Sequence, residues 1–204
     1  MGLLDDKIRI FDNAEDALMA DIGVTKELIF NETLKILAKV PTSGGQLVFD
    51  GSTIDLVDEL EREINRAIQN SGFPSNVTQY LRDFQLITAN NIALHQGLNN
   101  INIAQSITGL QRVAVEQTLN NLLGQGLQTN FVGPVRAQLY NSIVSGSTVT
   151  QAEEALKQIV VGGPGEAGTF QRYVGRIARD AIQQYDGYWR YQRAYIQRNL
   201  KDTS

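Results

Sequence analysis

The chain has 204 residues, of which 42% are hydrophobic and 20% are charged, so it can form one domain, or one domain with an appendage, and is too hydrophobic to be disordered throughout. It contains no cysteine and one histidine, which excludes disulfides, thiolate metal sites and a zinc site built on clustered histidines. The net charge of −4 argues against a uniformly basic nucleic-acid-binding protein.

Charge is distributed unevenly along the chain. Residues 1–70 carry 7 basic and 14 acidic side chains, residues 71–129 carry 2 and 2, and residues 130–204 carry 9 and 6. The middle region carries its polarity on Asn and Gln instead. This distribution predicts a polarised molecule whose C-terminal end suits acidic partners.

The first 40 residues predict two helices. Apolar residues recur at helical spacing over residues 6–20, and Gly23 is expected to end this helix. Thr25 is expected to cap a second helix, which Pro41 stops. No apolar run reaches the roughly 18 residues of a transmembrane helix, and the N-terminus lacks the apolar core of a secretory signal, so we expect no membrane association.

The next segment predicts one short extended element and two further helices. Residues 46–50 are expected to form at most one small β-element. Ser52 and Asp55 show the pattern of a capping box that opens a helix. Pro74 opens another helix, and from residue 90 strand-like alternation competes with helical periodicity.

The last 75 residues predict a helical hairpin followed by a long helix. Pro134 starts the first helix of the hairpin, and Thr150 with Glu153 forms a capping-box pattern for the second. Apolar residues at helical spacing then extend over residues 169–200. The prediction is therefore a mainly α, multi-helix bundle, with a helical N-terminal domain at 1–129 and the hairpin plus long helix at 130–204.

The segment from Gly163 to Gly168 matches the G-x-G-x-x-G spacing of dinucleotide-binding loops. That site requires a preceding strand within a βαβ unit, whereas the preceding residues here show a helical pattern. A P-loop would need Lys where Thr169 stands. We therefore predict a flexible loop between helices and no cofactor. The carboxylates of residues 5–63 and the lone His95 form no recognisable catalytic set, so we predict no catalytic residue, no bound metal and no enzymatic activity.

The final helix combines aromatic and basic side chains on neighbouring stripes. Arg176 with Asp180 and Asp186 with Arg190 form i, i+4 pairs. The remaining arginines, Arg172, Arg179 and Arg193, are expected to pair mainly with acidic residues of the N-terminal third. Phosphate contact is the alternative for Arg172, Arg176 and Arg179. Aromatic residues and arginines are enriched in protein interfaces, so the second half of the helix predicts a partner-binding surface. Its members are Tyr185, Tyr188, Trp189, Arg190, Tyr191, Arg193 and Tyr195.

Residues 133–182 resemble a conserved segment of the Mu-type minor head, or head morphogenesis, proteins of tailed bacteriophages. The resemblance rests on Gly146-Ser147, on residues 152–156 with the sequence Ala-Glu-Glu-Ala-Leu, and on Tyr173-x-x-x-Ile177-Ala178-Arg179. The family commonly continues with Thr-Glu, where this chain has Asp180-Ala181. Residues 56–95 are similar to the helical N-terminal part of such proteins.

The resemblance implies a virion component that associates with portal and capsid, and some members of the family bind DNA. The leading hypothesis is thus a non-enzymatic minor head protein, located in the virion head or neck and in the host cytoplasm during assembly. One alternative is a head-to-tail adaptor that forms a ring with its own copies below the portal. The other is a DNA-binding module of the packaged head.

Overall fold

The computed structural model describes residues 13–97 and 101–183, and for residues 87, 88, 90–97 and 101–107 it describes the backbone alone. The chain is mainly helical, as predicted, with only short β-elements in the described ranges. A helix at 13–20, α1, is followed in chain order by the elements α2 Ile22–Leu37, β1 Thr42–Ser43, β2 Gln46–Leu47, α3 Thr53–Asn70, α4 Phe73–Gly97, α5 Ile101–Leu123, α6 Gln125–Leu127, α7 Gly133–Val144, α8 Val149–Val160, β3 Gly162–Gly163, β4 Glu166–Ala167 and a helix at 169–183, α9.

The first helices differ from the prediction in how they begin. The break between α1 and α2 lies at Asp21, and Gly23 is inside α2. Thr25 does not cap α2, because its hydroxyl donates to the Asp21 carbonyl one turn earlier, at 2.9 Å. The Asp21 carboxylate instead accepts from the Asn76 side chain at 3.1 Å, so this break is fixed against the start of α4.

The cap of α3 also corrects the predicted capping box. Ser52 makes no side-chain cap hydrogen bond to Asp55. The Asp50 side chain makes the local hydrogen bonds before α3 instead, since its Oδ1 accepts from the Ser52 backbone N–H at 2.8 Å and from the Ser52 hydroxyl at 2.6 Å. The Ser52 hydroxyl and then its backbone N–H lower the pKa of the exposed Asp50 carboxyl. The Asp50 backbone N–H in turn donates to the Thr53 hydroxyl at 3.0 Å, so the turn that leads into α3 is held by hydrogen bonds from both of its ends.

A short hairpin connects α2 to α3 and contains the predicted β-element. Thr42 pairs with Leu47, and Ser43 with Gln46. Gly44 and Gly45 both have positive φ, which a tight two-residue hairpin turn of this kind requires. A second hairpin, β3–β4, exceeds the predicted limit of one β-element, because its strands of two residues are too short to produce an alternating pattern.

A π-helical turn at Gln128–Val132 joins α6 to α7. Pro134 has no N–H to donate to the carbonyl of Asn130, and its ring would crowd that carbonyl in an ordinary α-helix. The Gly133 N–H accordingly bonds to the Gln128 carbonyl, five residues earlier. The helix widens at this turn and continues as α7.

The buried side chains form one continuous cluster to which most elements contribute. Its aromatic centre joins three distant segments, since the Phe170 ring lies 5.2 Å from Phe73 and 5.0 Å from Phe131. Phe170 thus fixes the first turn of α9 in the core. Gly175 on α9 is buried, and an added Cβ would lie in ordinary contact with the Met19 Cε of α1, at 3.6 Å. The predicted division at residue 129 stays a prediction.

One ion-pair group links α3 to α7. The Arg136 guanidinium contacts the carboxylates of Asp58 and Glu61 through its two terminal nitrogens. Three other pairs of the described residues lie on exposed surface: Lys35 with Glu32, Lys39 with Glu59, and Arg66 with Glu63. Acidic residues of the N-terminal third are therefore engaged with α2, α3 and α7.

Candidate anion-binding and docking surfaces

The described part of the final helix has one buried face and one basic face. Phe170, Val174 and Ala178 are completely buried, whereas Arg172, Arg176 and Arg179 are exposed. The sequence placed these two sets on neighbouring stripes, and the structure agrees. The other predicted partner-binding residues, Tyr185, Tyr188, Trp189, Arg190, Tyr191, Arg193 and Tyr195, lie outside the described residues.

The predicted ion pairs of the basic face do not form within the described ranges. Arg176 and Asp180 make no ion pair, so this i, i+4 prediction is wrong. Arg172 and Arg179 likewise contact no carboxylate of residues 13–97 or 101–183. Four acidic residues of α3, namely Asp58, Glu59, Glu61 and Glu63, are instead engaged by Lys39, Arg66 and Arg136. The arginines on the described part of α9 therefore have no carboxylate partner in the described ranges.

An open depression of about 270 Å³ lies beside the first two turns of α9. It is lined by Asn130, Thr169, Arg172, Tyr173 and Arg176. This lining combines two guanidinium groups with three neutral polar side chains and includes no carboxylate. Sequence reasoning identified the two arginines but missed Asn130 and Thr169, which the π-helical turn and the short β3–β4 hairpin bring to the same place.

Three contacts fix the side chains of the depression. The Arg176 guanidinium carbon lies 5.5 Å from the centroid of the Tyr173 ring, in cation–π geometry. The Tyr173 hydroxyl donates to the Asn121 backbone carbonyl at 2.8 Å, which anchors that ring on the end of α5. An Arg172 Nη2 lies 3.4 Å from the Thr169 hydroxyl oxygen. The two guanidinium groups are thus partly preorganised.

Burial raises the pKa of Tyr173, and the positive charge of Arg176 acts in the opposite direction. The phenol is therefore neutral at physiological pH, since its pKa lies above the usual value near 10. A neutral phenol can donate its hydrogen bond to the Asn121 carbonyl, and it adds no negative charge to the depression. The local potential is set by the two guanidinium groups.

A second surface is provided by the helical hairpin of α4 and α5. These helices have 25 and 23 residues, and the alternation that competed with helical spacing from residue 90 is resolved as helix. The buried side chains described on α4 stop at Phe84, and on α5 they are Thr118 and Leu122, near its end. Both sets belong to the base of the hairpin, where α4 begins and α5 ends.

Farther along the hairpin some described side chains are exposed, whereas Leu110, Ala114 and Val115 are partly buried. Leu86 on α4 is 55% exposed and Val113 on α5 is 45% exposed. The hairpin is antiparallel, so these two residues lie at a similar height above its base. The sequence of residues 84–111 contains no Asp, Glu, Lys or Arg. Leu86 therefore lies inside a charge-free segment, and Val113 lies two residues beyond its end.

The stretch that matches a dinucleotide-binding loop forms the β3–β4 hairpin. Gly162 pairs with Ala167, and Gly163 with Glu166, around a Pro164-Gly165 turn in which Gly165 has φ +80°. The preceding element is helix α8, and neither short sheet of the described chain contains parallel strands. This segment therefore lacks the strand–loop–helix geometry that presents a helix N-terminus to a pyrophosphate.

Within the described ranges, no helix is long and apolar enough to cross a membrane. The same residues contain no group of three or more His, Cys, Asp or Glu side chains placed to hold a metal ion. No protein-family model, curated protein or solved structure matches this chain.

Proposed function

We propose that this chain is a non-enzymatic structural component of a bacteriophage virion, a minor head protein that docks on portal or capsid proteins. The α4–α5 hairpin carries this proposal. It is a helical surface suited to burial against another protein, and it adds to the resemblance of residues 133–182 to phage minor head proteins.

The composition of the hairpin supports docking. At the chain's average of 20% charged residues, a segment as long as 84–111 would contain about five, yet it contains none. Charged residues are depleted from the buried centre of protein interfaces, whereas solvated helical surfaces normally carry them. Asn and Gln side chains can donate and accept hydrogen bonds across such an interface. The hairpin thus has the composition of an interface centre.

The proposal is tested by genetic complementation. A phage that lacks this gene is supplied with the wild-type chain or with a Leu86→Glu/Val113→Glu variant, and the protein in purified virions is quantified by immunoblot. We expect the wild-type chain in the particles and strong loss of the variant, because two carboxylates would have to be desolvated at the interface. Absence of the wild-type chain from purified virions would refute the virion proposal.

A matched control separates docking from folding. Val24 and Ile54 are 58% and 57% exposed and lie outside the hairpin, on α2 and α3. A Val24→Glu/Ile54→Glu variant adds the same two charges elsewhere and should enter virions like the wild type. Equal incorporation of the two variants would reject the hairpin as the docking surface. Native mass measurement of the wild-type chain with portal would identify the neck adaptor if a closed ring of copies formed.

A further inference from the structure

We propose that the depression lined by Asn130, Thr169, Arg172, Tyr173 and Arg176 is a phosphate-binding site that holds one phosphodiester of a nucleic-acid strand. This inference concerns a different surface from the α4–α5 hairpin and does not depend on docking to virion proteins. It rests on the absence of ion pairs at Arg172 and Arg176, on the shape of the surface and on the preorganisation of its side chains.

The charge of the site is available to a ligand. Arg172 and Arg176 are four residues apart, so both guanidinium groups lie on one face of α9, separated by about 6 Å along the helix axis. Neither makes an ion pair within the described chain. An arginine without a carboxylate partner can give both ends of its planar donor group to a phosphate.

The site is also held in shape before a ligand arrives. The Tyr173 hydroxyl is held by its hydrogen bond to the Asn121 carbonyl, and the Arg176 guanidinium carbon lies 5.5 Å from the centroid of the Tyr173 ring. Asn130 donates to the Gly126 carbonyl at 2.8 Å through its side-chain nitrogen, which holds the amide at the edge of the depression. Preorganised side chains lose less conformational entropy on binding, so a smaller entropic cost is subtracted from the favourable interaction energy.

The position of Asn130 gives an independent indication. It lies in the π-helical turn that Pro134 imposes, and such turns are frequent at functional sites. The turn shifts the register of the helix, so Asn130 reaches the same depression as Thr169 on α9. Two neutral polar side chains thereby flank the two guanidinium groups, a combination that suits the several oxygens of a phosphate.

The spacing of the basic face favours a nucleic-acid strand over a single protein carboxylate. Arg179 follows Arg176 by three residues and lies on the exposed side of α9, about 10 Å along the axis from Arg172. It does not line the depression, and it makes no ion pair within the described ranges. A strand that placed one phosphodiester in the depression could present a neighbouring phosphate to Arg179.

The experiment measures binding of the full chain to labelled duplex and single-stranded DNA by fluorescence polarisation from about 50 to 300 mM NaCl, where phosphate contacts dominate affinity. Each phosphate contact contributes roughly 0.9 to the salt dependence for duplex and 0.7 for single strands. We expect Arg172→Gln/Arg176→Gln to lower that slope by about one, which corresponds to about tenfold weaker binding near 0.1 M salt.

The control is Arg62→Gln/Arg82→Gln, which makes the same change in net charge at exposed arginines of α3 and α4 that do not line the depression. It should bind DNA like the wild type, and unchanged circular dichroism and melting temperature would show that both variants are folded. Absence of binding at about 50 mM NaCl, or equal effects of the two double substitutions, would overturn the proposal.

Inorganic phosphate provides a second probe. Phosphate should raise the melting temperature of the wild-type chain above that in sodium chloride of equal ionic strength. This gain should be clearly smaller in Arg172→Gln/Arg176→Gln, which keeps only the general stabilisation that phosphate gives to folded proteins. Stabilisation by phosphate without DNA binding would overturn the assignment to a nucleic-acid strand and indicate a small anion. Equal stabilisation of the wild type and this variant would show that the depression is not the site.

Discussion

The Tyr80 hydroxyl donates to the Ala178 backbone carbonyl at 2.8 Å, inside the core. This hydrogen bond joins the base of the α4–α5 hairpin to α9 through two residues that are 98 positions apart in the sequence. Tyr80 is 1% exposed and packs against Phe84 with ring centroids 4.8 Å apart. The two candidate surfaces of the molecule, the hairpin and the basic face of α9, therefore have a common buried support.

Replacement of Tyr80 by Phe should lower the free energy of unfolding by about 1 kcal/mol, because it removes a buried hydrogen bond with little change of shape. Chemical denaturation measures the difference. Tyr140→Phe is the matched control, since Tyr140 is 42% exposed, and it should change stability by less than about 0.5 kcal/mol. Equal losses in the two variants would show that the Tyr80 hydroxyl contributes no specific stabilisation.

Stability should fall at alkaline pH in a way that depends on Tyr80. Burial raises the pKa of Tyr80 above its usual value, and the negative charge of Glu15 adds to that effect. Above pH about 10 the unfolded chain loses this proton while the folded chain keeps it, so rising pH favours unfolding by up to roughly 1.4 kcal/mol per pH unit. Below pH about 10 the proton is bound in both states and this effect is absent.

The measurement compares the free energy of unfolding at pH 9 and pH 11 for the wild type and Tyr80→Phe. The decrease in the free energy of unfolding between pH 9 and pH 11 should be smaller in Tyr80→Phe than in the wild type by about 1 kcal/mol. Tyr173, whose pKa is also raised by burial, contributes in the same direction in both proteins. An identical alkaline loss in the two proteins would contradict a buried, protonated Tyr80.

Helical periodicity was sufficient to predict the fold class, because apolar residues that recur on one face of a helix are buried when that face packs against the core. On α3, Val57, Leu60 and Ile64 recur every three or four residues, and all are buried. Helix starts were predicted less well, since several polar residues near each start satisfy the same local pattern. Long-range contacts select among them, and a single sequence does not reveal those contacts.

The candidate site shows the same limit. Arg172 and Arg176 could be placed on one helical face from spacing alone, but their lack of carboxylate partners depends on where α3 and α7 pack. Asn130 was not predicted as part of the site, because its position depends on the widened turn before Pro134 and on the docking of Tyr173 beside α5. Pro134 was the only local signal, and it was interpreted solely as a helix start.

The start of α8 allows a direct test between two threonines. Sequence pattern predicted a capping box of Thr150 with Glu153, but the cap is Thr148, whose hydroxyl accepts from the Gln151 N–H at 3.2 Å. The Gln151 side chain in turn accepts from the Thr148 N–H at 3.0 Å. Thr148 has an extended backbone and forms a β-bridge with Gln46 of the first hairpin. This contact explains why α8 begins after Thr148 and not after Thr150.

We expect Thr148→Ala to cost about 1 kcal/mol of unfolding free energy, as is usual for loss of a helix N-cap. Thr150→Ala changes the same side chain two residues later and should stay within about 0.5 kcal/mol of the wild type. Urea denaturation of both variants decides between the two caps. A larger loss in Thr150→Ala would restore the capping box predicted from the sequence.

The β3–β4 hairpin depends on glycine for two different reasons. Gly162 has φ +100°, and an added Cβ would lie 2.2 Å from the Glu166 carbonyl oxygen, so Gly162→Ala combines backbone strain with a backbone clash. Gly165 has φ +80° but has no atom within 4 Å of an added Cβ, so Gly165→Ala should cost only the roughly 1–2 kcal/mol of a left-handed residue.

Gly51→Ala has neither problem and should leave stability within about 0.5 kcal/mol of the wild type. Denaturation should therefore rank the variants with Gly162→Ala the least stable. Equal stability of the three variants would show that the hairpin is not formed in solution. Because Phe170 anchors α9 directly after this hairpin, Gly162→Ala should also weaken the stabilisation of the chain by phosphate.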